Sequence, residues 1–194
     1  MPNQVPPAYR EVLYWKLTES RRQLILINLL ALPLGAAAAP VFFWLAARVG
    51  RVPGVGFSAA GDLLGLLVGL LLTLSLHELA HGLVMRAYGA RPRYGFKPEA
   101  GALYATAPGY AFTRDQYLAV IFAPLAGLSA LAVLGMWALA GSPLVPLLAL
   151  CAVINAMGAC GDVYMGWRVA QYPRSAYVID EADGMRVFLP EPAG

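Results

Sequence analysis

"LLGLLVGLLLTLSLHELAHGLVMRAY", residues 63–88, begins with fourteen residues that carry no charge and then places His77, Glu78 and His81 within five positions. An apolar stretch from Ala59 to His81, continuing helically to Tyr88, is long enough at 1.5 Å per residue to cross the ~30 Å hydrocarbon core of a bilayer. Three polar side chains at the end of such a segment cost several kcal/mol unless they pair with one another or bind something. The stretch therefore predicts a membrane helix with a reason to keep its polar end.

The rest of the chain fits that frame. With 194 residues, 59% of them hydrophobic and 13% charged, it reads as a polytopic membrane protein with room for about four spans. Further apolar segments run from Leu24 to Ala47, Tyr117 to Ala140 and Leu144 to Val169. The expected class is an all-α membrane protein, a four-transmembrane-helix bundle with small cytoplasmic β-hairpin elements. Its expected organisation is an N-terminal segment 1–23, a four-span domain 24–172 with a loop at 89–116, and a tail 173–194. Two stretches outside the spans have strand character. One runs through Tyr94 and Phe96, turns at Pro98-Glu99-Ala100-Gly101 and returns through Leu103 to Thr106; the other is a hairpin around Asp183-Gly184.

Charge assigns an orientation. Arg10, Lys16, Arg21 and Arg22 precede the first span; Arg86, Arg91, Arg93, Lys97 and Arg114 surround the long loop; Arg168, Arg174 and Arg186 follow the last span. Only Arg48 and Arg51 lie on the other side, so the positive-inside rule places both termini and the long loop in the cytoplasm of a multi-pass cell-membrane protein. The net charge of +3 is explained by this distribution and calls for no nucleic-acid partner. Cys151 and Cys160, nine positions apart in one expected helix, lie too far apart to pair and read as packing residues.

On a helix His77 and His81, the only histidines in the chain, project from one face about 6 Å apart and can both bind one zinc ion. Glu78 beside them can take a proton from a metal-activated water and pass it to a departing amine, the division of labour in peptide hydrolysis by His-Glu-x-x-His sites. A zinc site generally needs a third protein ligand. Asp62 lies roughly 22 Å away along its own helix. Glu99, Asp115 and the tail acids sit in polar segments where a solvated charge is the ordinary explanation. Asp162 stands inside the fourth apolar run, "VINAMGACGDVYMGW", about as far into its span as His77 is into its own. Asn155 is two helical turns earlier on nearly the same face, and Gly158 and Gly161 permit close approach of a neighbouring helix. A small-residue ridge of Gly61, Gly65 and Gly69 is a packing seam on the second span, and Pro124 in the third should kink it or release a carbonyl.

The order "HELAHG", "RYGFKPEAGALYATAPGYAFTRDQY", "APLAGL", "NAMGACGD" and "SAYVIDEADGMRVF" resembles the putative membrane zincin peptidases from about Gly69 onward. More distantly the chain is similar to the site-2 protease class of intramembrane metalloproteases. That resemblance implies His77 and His81 as metal ligands, Glu78 as the catalytic carboxylate, Asp162 as the third ligand and Asn155 as a candidate substrate or oxyanion contact. The sequence departs from the site-2 pattern in having no proline near Asn155 and Val163 after Asp162.

Together these readings predict an endopeptidase with one Zn2+ per chain and its site near the cytoplasmic face. Its substrates would be membrane-associated or membrane-spanning polypeptides, with Tyr94, Phe96 and Tyr104 on a loop that could offer an extended segment a strand edge. The alternatives are a catalytically silent metal-binding scaffold or chaperone for membrane proteins, and a small cation transporter. The absence of internal repeats and of charges spaced through the membrane depth counts against transport.

Overall fold

The structure, a computed structural model, describes residues 3–50, 59–98 and 101–191. Arg51, and Glu99 and Ala100 of the expected turn, lie outside the described residues, as does the side chain of Asp62. The chain is mostly helical, with α1 (Arg21–Leu29), α2 (Ala31–Val49), α3 (Ala59–Ala87), α4 (Arg114–Ala138), α5 (Leu144–Gly158) and α6 (Cys160–Ala170). Among the described residues, three helical stretches are long and apolar enough to cross a membrane: Arg21–Val49, Leu63–Ala87 and Arg114–Ala138; α5 and α6 make a fourth if counted as one bent span. These helices leave Leu63, Leu64, Leu71, Leu131, Leu134 and Trp137 exposed. Large apolar surfaces of this kind are unfavourable in water and ordinary against lipid.

The fourth apolar run differs from the expected continuous helix. It breaks at Ala159 with a 46° bend between α5 and α6. Gly158 and Gly161 flank the break, and glycine, with its large conformational freedom, is a poor helix former. Hypothetical Cβ atoms on either would meet nothing within 4 Å, so these glycines serve no close helix approach. Cys151 and Cys160 consequently fall on different helices, both as free thiols.

Two compact units emerge, with α3 and α4 contributing to both. The second unit, residues 28–77 and 124–160, is helical. Its core joins Phe42 and Ala46 of α2, Ala132 and Met136 of α4, and Val145, Ala149, Ala152 and Val153 of α5. Small residues let these helices approach: a Cβ on Gly35 would stand 2.8 Å from Met157, and one on Gly69 would stand 3.2 Å from Cys151 and Leu147. Of the expected ridge, Gly69 makes such an approach while Gly65 has nothing within 4 Å; the surroundings of Gly61 lie outside what is described. Steps of four residues drift around a helix by about 40° each, which carries Gly65 off the contact.

The first unit, residues 1–27, 78–123 and 161–194, holds the strands. Both expected hairpins form: β2 (Arg93–Lys97) with β3 (Ala102–Thr106), and β5 (Tyr177–Glu181) with β6 (Gly184–Pro190). Two further strands were not expected. β1 (Tyr9–Lys16), in the expected N-terminal segment 1–23, pairs with β6, and β4 (Ala111–Thr113) pairs with β5, giving an antiparallel sheet of order β1-β6-β5-β4. β1 buries Trp15 while leaving Val12 and Tyr14 exposed, so it lacks the clean alternation that marks a strand in sequence.

Gly184 is where that sheet is most constrained, since an added Cβ would lie 2.0 Å from the Trp15 carbonyl oxygen. Gly184→Val is expected to destabilise the protein by about 2 kcal/mol through overpacking. Thermal unfolding in detergent should show a lower midpoint, and the β1 amides should lose protection from hydrogen exchange while those of α2 and α5 keep theirs.

Candidate metal and catalytic site

α3 delivers His77, Glu78 and His81, one ligand atom from each lying within 4.8 Å of the others. Both histidines are buried, at 6% and 7% exposure. Their environments decide which ring nitrogen can bind a metal.

His81 belongs to the first unit, where its Nδ1 lies 2.9 Å from the Val120 carbonyl oxygen. A carbonyl only accepts, so Nδ1 donates to it and Nε2 is the nitrogen left facing away from the backbone. The Val120 carbonyl is available for a local reason. Its helical donor would be the N–H four residues on, and residue 124 is proline. The proline noted in the sequence as releasing a carbonyl thus releases the one that orients His81. Nε2 of His81 is 3.4 Å from Oδ1 of Asp162, which stands in the first turn of α6.

His77 belongs to the second unit and is oriented in the same way. Its Nδ1 lies 2.9 Å from Asn155 Oδ1, while Asn155 Nδ2 donates to the Pro124 carbonyl at 3.1 Å. The second bond fixes which end of the amide faces His77, so Asn155 presents its oxygen, Nδ1 donates, and Nε2 is again the nitrogen facing away. Asn155, named in the sequence as a candidate substrate or oxyanion contact, is 1% exposed, and both ends of its amide are engaged by protein groups.

This donor set suits zinc. Metal-bound histidines characteristically donate the second ring nitrogen to a carbonyl or amide oxygen, as both do here. Two ligands at ~2.0–2.1 Å from a tetrahedral ion stand roughly 3.3 Å apart, close to the spacing of His81 Nε2 and Asp162 Oδ1. Asp115, by contrast, is exposed and pairs with Arg114 at 2.9 Å.

A cavity of about 140 Å³ in the first unit reaches this chemistry, with Glu78, His81, Asp162 and Asp180 among its lining residues. Asp180 was not singled out in the sequence, although an acid alternating with Val178 on the buried face of a strand was the available signal. Its Oδ1 accepts a hydrogen bond from the Tyr117 hydroxyl at 2.9 Å, and its Oδ2 has no partner among the described residues. Burial, opposed by the nearby Thr106 hydroxyl, Tyr117 and His81 and reinforced by Asp162, pushes the Asp180 carboxyl up to about 7. At the rim Lys97 pairs with Asp183 at 2.5 Å, and Thr18 also donates to that carboxylate. Burial would raise Asp183, but the Lys97 and Thr18 hydrogen bonds outweigh it and hold the group below its usual range.

Tyr94 and Phe96 are exposed on one face of β2, and Tyr104 of β3 lines the cavity. A Cβ on Gly82 would fall 2.0 Å from the Tyr94 hydroxyl, so glycine at 82 is what lets β2 lie against α3. β2 and β3 pair only with each other, leaving each with a strand edge unpaired among the described residues.

The His-Glu-x-x-His sequence on α3, with its three side chains together, is the signature of the zincin class. The chain belongs to the family described as putative zincin peptidase, whose model matches residues 70–177. No curated protein and no solved structure matches it.

The raised Asp180 carboxyl sets a pH dependence. An aspartate neutral in the fold and ionised when unfolded contributes stability that is complete below about pH 3.8 and is lost as pH rises through about 7. Asp180→Asn keeps an acceptor for Tyr117 and removes the titration. With metal chelated, the variant should gain about 2 kcal/mol on wild type between pH 5 and pH 8, read as diverging unfolding midpoints in detergent.

Proposed function

We propose that the protein is a zinc-dependent, membrane-embedded endopeptidase that cuts membrane-associated or membrane-spanning polypeptides near the cytoplasmic face. The observation that carries this reading is the orientation of the two imidazoles, each donating through Nδ1 and so leaving Nε2 for a metal. Buried histidines with a purely structural role need no common tautomer.

In this assignment His77, His81 and Asp162 hold the ion, and Glu78 is the catalytic carboxylate. Zinc, when bound, supplies the Lewis acidity that activates water and polarises a scissile carbonyl. The chain's own groups do the rest. Glu78 accepts the proton of the attacking water and returns it to the departing amine. The Val120 carbonyl and the Asn155 amide hold the rings in one tautomer. The apolar walls of the cavity, Met85, Val120 and Ile121 among them, limit water around the reacting groups. A substrate helix has its carbonyls bonded and must be extended before cleavage, and the unpaired edges of β2 and β3 offer an extended segment a partner. The four-span bundle with both termini in the cytoplasm belongs to the same proposal, supported by the apolar helices and by the distribution of arginine and lysine.

Glu78→Gln should retain about one zinc per chain by elemental analysis while cleavage of tagged single-span substrates falls by about 10²–10⁴. Asp162→Ala should lose zinc where Asp115→Ala keeps it. Equal cleavage by wild type and Glu78→Gln would end the peptidase reading, and zinc retention with no cleavage of any substrate would favour a scaffold.

Pro124→Ala tests the orientation of His81 directly, because it restores an N–H that competes for the Val120 carbonyl. Zinc affinity, measured by chelator competition, should fall about 10–100-fold, the usual cost of losing a ligand's orienting partner. The unfolding midpoint, measured in parallel, checks that the variant remains folded, since the gain of a helical N–H is set against the loss of a buried ring and of the His81 partner.

A further inference from the structure

The charges around the first-unit cavity do not balance. Its lining contains five carboxylates, Glu78, Asp162, Asp180, Glu181 and Asp183, against Lys97 and the imidazole of His81. Asp183 is matched by Lys97 at 2.5 Å, and Glu181 lies within electrostatic reach of Lys16. Glu78 and Asp162 are the two that a divalent ion held at the histidines would offset. Asp180 is left over, 7% exposed, with one oxygen held by Tyr117 and the other without a hydrogen-bond partner among the described residues. A buried carboxylate oxygen left unsatisfied costs more than a typical hydrogen bond contributes, so proteins seldom keep one without a use.

The surroundings narrow what could satisfy it. Trp15, Leu103, Tyr104 and Met165 line the same cavity, so an occupant must be apolar along its length and positive at its tip. Lysine and arginine have that build, with a hydrocarbon stem that packs on apolar surface and a charged head. Membrane proteins also concentrate these residues immediately on the cytoplasmic side of their spans. We propose that Asp180 anchors a lysine or arginine of the entering polypeptide, so that the preferred substrates carry a basic residue at the cytoplasmic membrane boundary. This rests on the peptidase reading, and it makes Asp180 a specificity determinant with no part in bond cleavage. The burial that disfavours the Asp180 carboxylate in the free protein is offset when a cation arrives, which couples occupancy to ionisation of the group.

The test uses full-length Glu78→Gln protein in detergent, which binds without cutting. The probes are fluorescent single-span peptides that differ only in one boundary residue, lysine, norleucine or glutamate, and binding is read by fluorescence anisotropy. The lysine peptide should bind roughly 10–100-fold tighter than the norleucine peptide, the range for a hydrogen bond to a charged group, and the glutamate peptide weakest. Adding Asp180→Asn should bring the lysine and norleucine affinities together, while adding Glu11→Gln, which removes the partner of Arg186 on β1, should leave the ratio intact. Zinc content equal to that of the parent confirms that the Asp180→Asn protein is folded. Equal affinity for the lysine and norleucine peptides, or a lysine preference that survives Asp180→Asn, overturns the proposal. Cleavage by wild type separates the two readings: equal efficiency on both peptides keeps the peptidase and overturns the anchor, whereas an Asp180-dependent lysine preference in binding with no cleavage of any peptide keeps the anchor and ends the peptidase.

Discussion

Pro124 has no N–H, and the Val120 carbonyl four residues before it therefore lacks its helical donor; the His81 Nδ1–H takes that place at 2.9 Å. In an apolar helix a carbonyl without a donor costs several kcal/mol, and so does an imidazole without a partner. Each deficit cancels the other. The bond also does something neither residue could do alone, which is to hold the His81 ring with Nδ1 on the carbonyl and Nε2 turned toward Asp162. Pro124 acts a second time through its own carbonyl, which accepts from Asn155 and so turns the Asn155 oxygen toward His77. One proline thereby stands behind the orientation of both histidines, and a helix-breaking residue that would be a liability in water becomes part of the site.

How much of this could be read in the sequence depended on whether the signal was local. The apolar helices were legible because length and hydropathy are properties of a contiguous stretch. His77, Glu78 and His81 were legible because helical periodicity alone brings them to one face. Both hairpins were legible from their turns, the tail hairpin from Asp183-Gly184. β1 was not, since its partner β6 lies some 170 residues away and its exposed face carries Val12 and Tyr14, which blur the alternation. β4 is three residues long and pairs with a strand more than sixty residues on. The break at Ala159 was hidden by hydropathy that runs straight across it, although Gly158 and Gly161 marked the place.

The same contrast separates the polar residues of the site. Asn155 and Asp162 stood out because a polar residue inside an apolar run demands a reason, and each proves to have a histidine partner. Asp180 did not stand out, because an acid in a hairpin of mixed composition is unremarked until the fold shows which face of β5 is buried. The meaning of Pro124 was likewise half legible: that a carbonyl must be released follows from the ring, but which side chain claims it depends on a neighbouring helix whose position the sequence leaves open.

Asp162 and Asp180 line one cavity, yet their supports differ in kind. The helix break places Asp162 in the first turn of α6, where unsatisfied N–H groups and the positive end of the helix dipole favour an anion, and His81 Nε2 stands 3.4 Å away. Had α5 continued unbroken, the same residue would sit mid-helix with no such support. Asp180 lies on a strand, whose dipoles contribute little, and has a single hydroxyl on one of its two oxygens. Burial therefore falls on two carboxyl groups with unequal support: Asp162 has a helix terminus and His81 beside it, whereas Asp180, whose carboxyl burial pushes up to about 7, has the Tyr117 hydroxyl on one oxygen and gains most from an arriving cation. Two acidic groups in one small cavity can then do different work, one tied to His81 and the other open to whatever enters.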